Sequence, residues 1–390
     1  MELTRTDRLK AEQKRRKRNK QRWGLAIGSF LLVMLCVTLA FAIVKLELFD
    51  NIGHGQTTQP EPAPDKATAG AENDPSVTLS FAGDTIMTGH VETLLKQKGF
   101  DYPFLYTSTL FKQDDVTIVN LETPVTTKGT PAANKEYVYK SPPEAIPAMK
   151  AAGIDLVNLA NNHSMDQGVD GLLDTFAALD KNAIEYFGAG ADAARAYAPV
   201  LLERNGIKMA FFGFSRVVPE VSWYAGKNKP GIAVSYDPAR AVEAIRSVRD
   251  DVDLVIVIAH WGKEKVDMPV DHQHELSRAY IDAGADLVIG GHPHVLQGFE
   301  QYESKWIAYS LGNFIFTRAA EPKTWETMVL QATCTKQCAC TLKMLPYHAE
   351  LGQAVPMDKE NGAKLRQRIE SISKKGVRIE NDGSIVQVEQ

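Results

Sequence analysis

From Val77 onward, short apolar blocks alternate with stretches in which apolar residues recur three and four positions apart. Blocks at Val77–Ala82, Val116–Leu121, Ile154–Ala160, Met209–Phe214, Leu254–Ala259 and Leu287–Gly290 predict strands. Helical spacing marks Pro143–Ala152, Val169–Lys181, Pro238–Val248 and Gln273–Ala283. Gly153 and Gly284 stand just before strands, where a glycine closes a helix. Two segments, 151–163 and 282–294, share one layout of helix end, glycine, strand, then polar residues with histidine. Alternation of this kind predicts an α/β fold with a mostly parallel sheet. After Lys305 the pattern turns more β-like, with a hairpin over Met328–Leu345 and a polar helix over Asp358–Lys375.

Ahead of that pattern, Gly24 to Val44 carries no charge. A bilayer span needs about 20 apolar residues, so this run predicts a transmembrane helix. Trp23 sits at one end, where an amphipathic ring favours the interface. The net charge is −4, yet residues 1–22 hold ten Lys or Arg against three acids, which leaves the remaining chain near −11. Basic residues on the N-terminal flank predict a cytoplasmic tail and an exterior domain. A cleaved signal peptide has a shorter apolar region, about 7–15 residues, before a small-residue site. The run here ends in Val-Lys-Leu-Glu-Leu-Phe, which predicts an uncleaved anchor.

The expected organisation is a basic cytoplasmic tail (1–22), a transmembrane anchor (23–46), a flexible extracytoplasmic linker (47–75), an α/β domain (76–350) and a peripheral C-terminal segment (351–390). The location this implies is the cell membrane, single-pass. Pinned to the bilayer, the Arg/Lys run suits anionic lipid, and no nucleic-acid partner is expected.

The candidate chemistry follows from position. Predicted strands end in Asp84, in Glu122, in Asn162 and His163, in His260, and in His292 and His294. Carboxyl ends of parallel strands share one edge, and ligands bind there. Each residue alone has an ordinary structural role, such as a helix cap for Asp84. His90, His272 and His274 keep such a role. Gathered together, carboxylate and imidazole form a donor set for divalent Mn, Fe or Zn, as one ion or two. Glu122 is the expected bridge and Asn162 a neutral oxygen donor. His163 is the expected catalytic acid, oriented by Asp166.

The segments Gly83-Asp84, Asn120-Leu121-Glu122-Thr123-Pro124-Val125, Asn158–His163, His260-Trp261-Gly262-Lys263-Glu264, Asp282–Leu296 and Tyr309–Phe314 resemble, in order and spacing, the CapA family of poly-γ-glutamate capsule-synthesis proteins. That family is more distantly similar to calcineurin-like metallophosphoesterases. The resemblance implies a layered α-β-β-α sandwich with Asp84, Glu122, Asn162, His260, His292 and His294 at metal-ligand positions and His163 at the catalytic one. It also implies membrane-anchored work in polymer synthesis or export beside a cytoplasmic ATP-dependent poly-γ-glutamate ligase, integral-membrane subunits and the anionic polymer. No Walker-type phosphate loop is present, so the chain is not expected to be the ligase. A stand-alone extracytoplasmic metal-dependent hydrolase and a non-catalytic polymer-binding scaffold are the alternatives.

Two departures accompany the resemblance. The place of a phosphoesterase ligand histidine two residues after the first Asp is Ile86, and the expected Gly-Arg pair is replaced by Thr88-Gly89. Arg216, Lys263 and Lys265 are the substitute cations that the sequence offers. Of the cysteines, Cys36 lies in the apolar run. Cys334, Cys338 and Cys340 crowd a hairpin, where Cys334 pairs with either of the other two.

Overall fold

The computed structural model describes residues 75–133 and 135–388. The tail, the anchor, nearly all of the linker and Cys36 lie outside the described residues. Among the described residues, no helix is long and apolar enough to cross a membrane.

Strands β1 (Ser76–Thr85), β2 (Val116–Leu121), β3 (Leu156–Asn158) and β4 (Glu185–Phe187) pair in parallel in that order. After the short β5 (Ala189–Gly190) come β6 (Val200–Arg204), β7 (Ile207–Ser215), a short β8 (Gly231–Ile232), β9 (Leu254–His260), β10 (Leu287–Gly291), β11 (Phe299–Tyr302) and β12 (Lys305–Ala308). The last are β13 (Asn313–Ile315), β14 (Glu326–Thr335), β15 (Cys340–Glu350), β16 (Gln353–Pro356), β17 (Val377–Ile379) and β18 (Ser384–Gln387). One sheet runs β17-β18-β15-β14-β1-β2-β3-β4, with β13 on β1 and β16 on β15; the other runs β11-β12-β10-β9-β7-β6. The fold is mixed α/β, as the alternating pattern predicts.

Successive side chains of the central strands point to opposite faces and are buried on both, and this sorts the chain into layers. Phe81, Ile118 and Leu156 of the first sheet share one apolar core with Ile256, Ile258 and Ile289 of the second. Their neighbours Val119 and Val157 face outward onto helices Ala145–Ala152 and Gly168–Lys181. Val255, Val257 and Val288 face helices Ala239–Val248 and Asp271–Asp282 on the other side. Strands covered on both faces read as unbroken apolar runs such as Leu-Val-Ile-Val-Ile-Ala, because neither side meets water. Helix Gly168–Lys181 buries Leu172, Thr175, Phe176 and Leu179, a stripe at helical spacing.

The segment 351–390 is not peripheral. Strands β16 to β18 extend the first sheet, and Leu365, Ile369, Val377 and Ile385 lie within the core between the sheets. Helix Lys359–Ser371 is polar over most of its surface, which hides this role in the sequence; its Leu365 and Ile369 are one turn apart and face the same way. In the hairpin, a disulfide joins Cys334 to Cys340, which stand opposite each other in β14 and β15. Cys338 in the turn is free and half-buried.

Candidate metal centre

The parallel strands of both sheets present their carboxyl ends to one place. Asp84 stands one residue before the end of β1, Glu122 follows β2, and Asn162 and His163 follow β3. His260 ends β9, and His292 and His294 follow β10. The structure brings all of them together. His260 Nε2 lies 2.7 Å from Asn162 Oδ1 and 3.5 Å from Glu122 Oε1. His294 Nδ1 is 3.3 Å from Asp84 Oδ2, and its Nε2 is 3.9 Å from Glu122 Oε1. The His292 backbone N–H donates to Asp84 Oδ2 at 3.2 Å.

Two glycines make this approach feasible. A Cβ on Gly83 would lie 1.9 Å from the Gly312 carbonyl oxygen, and one on Gly291 would lie 2.9 Å from Asp84 Oδ1. Any side chain at either position would push the strand ends apart. Strain gathers here as well: His292 and His294 hold φ values of 94° and 57°, in a region that costs a non-glycine residue about 1–3 kcal/mol.

The polar accounting of the cluster is incomplete. Both Glu122 oxygens and His292 Nδ1 are buried with no hydrogen-bond partner. Burial, reinforced by the neighbouring Asp84 carboxylate, pushes the Glu122 carboxyl well above its ordinary range. Burial likewise pushes His260 well down, with the adjacent His292 and His294 rings adding to the effect. His292 is pushed down to about 3, first by burial and then by His294. For His294 burial works the other way, but the Glu122 and Asp84 carboxylates outweigh it and raise the ring to about 10. A buried carboxyl group without a donor and the neutral imidazoles of His260 and His292 are what a cation needs from its ligands. A cation between Glu122 and Asp84 would take the place of the proton they hold on His294. Three overlapping groups are close enough to share an ion: Glu122, His260 and His292; Asp84, Glu122 and His294; Glu264, His292 and His294. The donors therefore fit a divalent ion, and carboxylate with imidazole suits Mn, Fe or Zn.

His163 and Asp166 form the expected pair, with His163 Nδ1 2.6 Å from Asp166 Oδ2. Burial lowers the His163 imidazole against the pull of Asp166. Ile86 is fully buried apolar core and offers no ligand. Arg216 lays its guanidinium over the Tyr236 ring, 4.2 Å from the centroid. Among the described residues, Lys135 is a cation that enters the site. It donates to the Asn162 carbonyl oxygen at 2.6 Å, contacts His163 Nδ1 at 2.8 Å and pairs with Asp166.

Sequence reasoning missed Lys135, which sits in a loop without periodicity. It also missed Asn120, Tyr139, Glu264 and Asn313. Asn120 Nδ2 donates to Asp84 Oδ1 at 2.7 Å and lies 3.3 Å from His260 Nδ1. Asn313 Oδ1 stands 2.9 Å from His294 Nδ1. The available signal was place in the matched segments: Asn120 stands two before Glu122, and Asn313 lies within Tyr309–Phe314.

Residues 78–318 match the family model described as bacterial capsule synthesis protein PGA_cap. The PGA biosynthesis protein CapA of Bacillus subtilis (strain 168) is 32% identical over 327 residues, covering 83% of each chain. The capsule biosynthesis protein CapA of Bacillus anthracis is 33% identical over 293 residues, covering 73% of this chain and 70% of that one. Among solved structures, the 5'-nucleotidase from Candida albicans SC5314 overlays with a TM-score of 0.40 at 11% identity, covering 78% of this chain and 55% of that one. On the family match and these relatives, the chain belongs to the bacterial capsule synthesis protein family PGA_cap.

Proposed function

We propose that this chain takes part in the synthesis or export of a poly-γ-glutamate capsule, and that its carboxyl-edge cluster binds a divalent metal. Segment 23–46 anchors it in the cell membrane and the α/β domain lies outside. Its partners are the poly-γ-glutamate ligase, integral-membrane subunits and the emerging anionic polymer. Family membership supports the process. The observation that carries the site is Glu122, a fully buried carboxylate whose two oxygens have no hydrogen-bond donor. An isolated buried carboxylate is costly to keep, and a bound cation removes that cost.

Asp84, Glu122, Asn162, His260, His292 and His294 are the holders of the ion. Bound there, a divalent metal supplies Lewis acidity and positive charge. The positive charge also offsets the repulsion between a polyanion and a chain near −11 outside its basic tail. The remaining work belongs to the chain itself. His163 has its Nδ1 engaged, so Nε2 is the nitrogen left to hold or pass a proton to a bound group. Asp166 fixes the ring. Ile86 supports a second reading, in which the domain binds polymer without catalysis, since one expected ligand position is apolar.

The test is complementation of a capsule-forming host that lacks this protein. Full-length wild type should restore polymer and carry about one or two Mn, Fe or Zn ions per chain after purification. His292→Ala/His294→Ala should lose both. Polymer restored by a metal-free double variant would leave the scaffold reading, and no polymer dependence on the protein at all would reject the capsule role.

A further inference from the structure

We propose that Lys135 is a positioning residue that acts through His163, holding the ring by its Nδ1 edge so that Nε2 is the nitrogen presented to the substrate. This rests on the proposed role of His163. The lysine rides on a closed loop. The loop ends are tied by Thr126 N–H donating to the Ser141 oxygen at 3.1 Å and Ser141 N–H to the Pro124 oxygen at 2.9 Å. Its middle is laid over the turn that follows β3: Ala132 N–H donates to the Asp166 carbonyl oxygen at 2.8 Å and Thr130 N–H to that of Gln167 at 3.2 Å. The loop thus carries Lys135 and Tyr139 into the site from outside the sheet.

Together these residues enclose His163. Tyr139 stacks on one ring face, with centroids 4.1 Å apart and planes 17° apart, and its backbone N–H donates to Asp166 Oδ2 at 2.7 Å. Lys135 and Asp166 both crowd the Nδ1 edge. Among the described residues, no hydrogen bond reaches Nε2, and Nε2 is not among the buried unpaired atoms. It is therefore the free edge of the ring.

The two neighbours of Nδ1 ask opposite things of it. A carboxylate oxygen accepts only, so it requires a proton on Nδ1. An ammonium donates only, so it requires the lone pair there. A neutral imidazole has one of each, and the nitrogen that keeps the proton at one edge decides what the other edge does. Lys135 also pairs with Asp166, its own side chain only 12% exposed, so the lysine, the carboxylate and the Nδ1 edge of the ring form one buried cluster. Lys135 and Asp166 together clamp the Nδ1 edge and leave the ring one orientation, with Nε2 outward. Outer partners that orient metal ligands are worth about 10–100-fold, and the same scale is expected for a partner that orients a proton-handling ring beside them.

The experiment uses the full-length chain in the complemented host. The variants are Lys135→Gln, Lys135→Arg and His163→Ala, with Lys128→Met as control. Lys128 lies on the same loop, but its side chain is 74% exposed. The readouts are polymer per cell, metal per purified chain and melting temperature. Lys135→Gln is expected to lose about tenfold or more of the polymer while keeping its metal. Lys135→Arg should retain most of the polymer, and Lys128→Met all of it. Should Lys135→Gln fold poorly, its ranking against Lys135→Arg among chains that still carry metal decides the matter. Equal polymer from these two variants overturns the inference. If His163→Ala makes wild-type polymer, the proposed role of His163 falls and this inference with it. Loss in His163→Ala with none in Lys135→Gln overturns the inference alone.

Discussion

The two ends of β10 bury polar groups equally deeply and treat them in opposite ways. Asp286 precedes the strand at 3% exposure, and His292 follows it at 4%. At the amino end, Asp286 is fully met: Arg249 donates at 2.6 Å, Lys305 at 2.7 Å and the Val255 backbone N–H at 2.9 Å. At the carboxyl end, His292 Nδ1 and both Glu122 oxygens have no partner, and two histidines hold left-handed backbone. A satisfied buried charge fixes a fold, whereas unsatisfied buried polar groups cost free energy unless a ligand completes them. The difference separates a structural edge from the candidate functional edge within one strand.

That contrast is open to measurement. The largest effect should come from Asp286→Ala, which strands two cations on a partly buried carboxylate site. It should lose about 3 kcal/mol in denaturant unfolding with metal content unchanged. A stability loss below about 1 kcal/mol would put the amino end on a par with an ordinary surface pair. Next, stripping metal from the wild type with a chelator should lower stability by about 2.7 kcal/mol relative to protein held at a hundredfold excess over its dissociation constant. Glu122→Gln should show almost no such response, and an equal response in both would place the ion elsewhere.

Removing the Cys334–Cys340 bridge by paired serine substitution should cost about 2 kcal/mol, since the loop it closes is short, and should leave metal binding intact. Smallest is the effect of Glu122→Gln on metal-free protein. Exchanging an unpaired carboxyl for an amide should leave thermal stability unchanged or raise it by about 1 kcal/mol. A large loss there would mean that Glu122 braces the fold like Asp286.

Much of the frame was legible along the chain. Apolar runs located β7, β9 and β10 because strands covered on both faces need apolar residues at nearly every position. Strands β1 and β2 still stood out as apolar-rich blocks despite Ser80, Thr117 and Asn120. Ligand candidates stood at the ends of those runs, so Asp84, Glu122, His260, His292 and His294 were found by counting to where each block stops. The C-terminal helix was harder. Two apolar residues one turn apart, Leu365 and Ile369, are too few to mark a core element.

What the sequence determined by itself was which residues end the strands and hence which chemistry is present, because period and side-chain type are local properties. Only the tertiary structure decided which of those groups are left unpaired, which cysteine pairs with Cys334, and that Lys135 reaches His163. The reason is physical. Hydrogen-bond satisfaction and the approach of a loop lysine depend on where distant segments pass, and the lysine lies 28 positions from the ring that it touches.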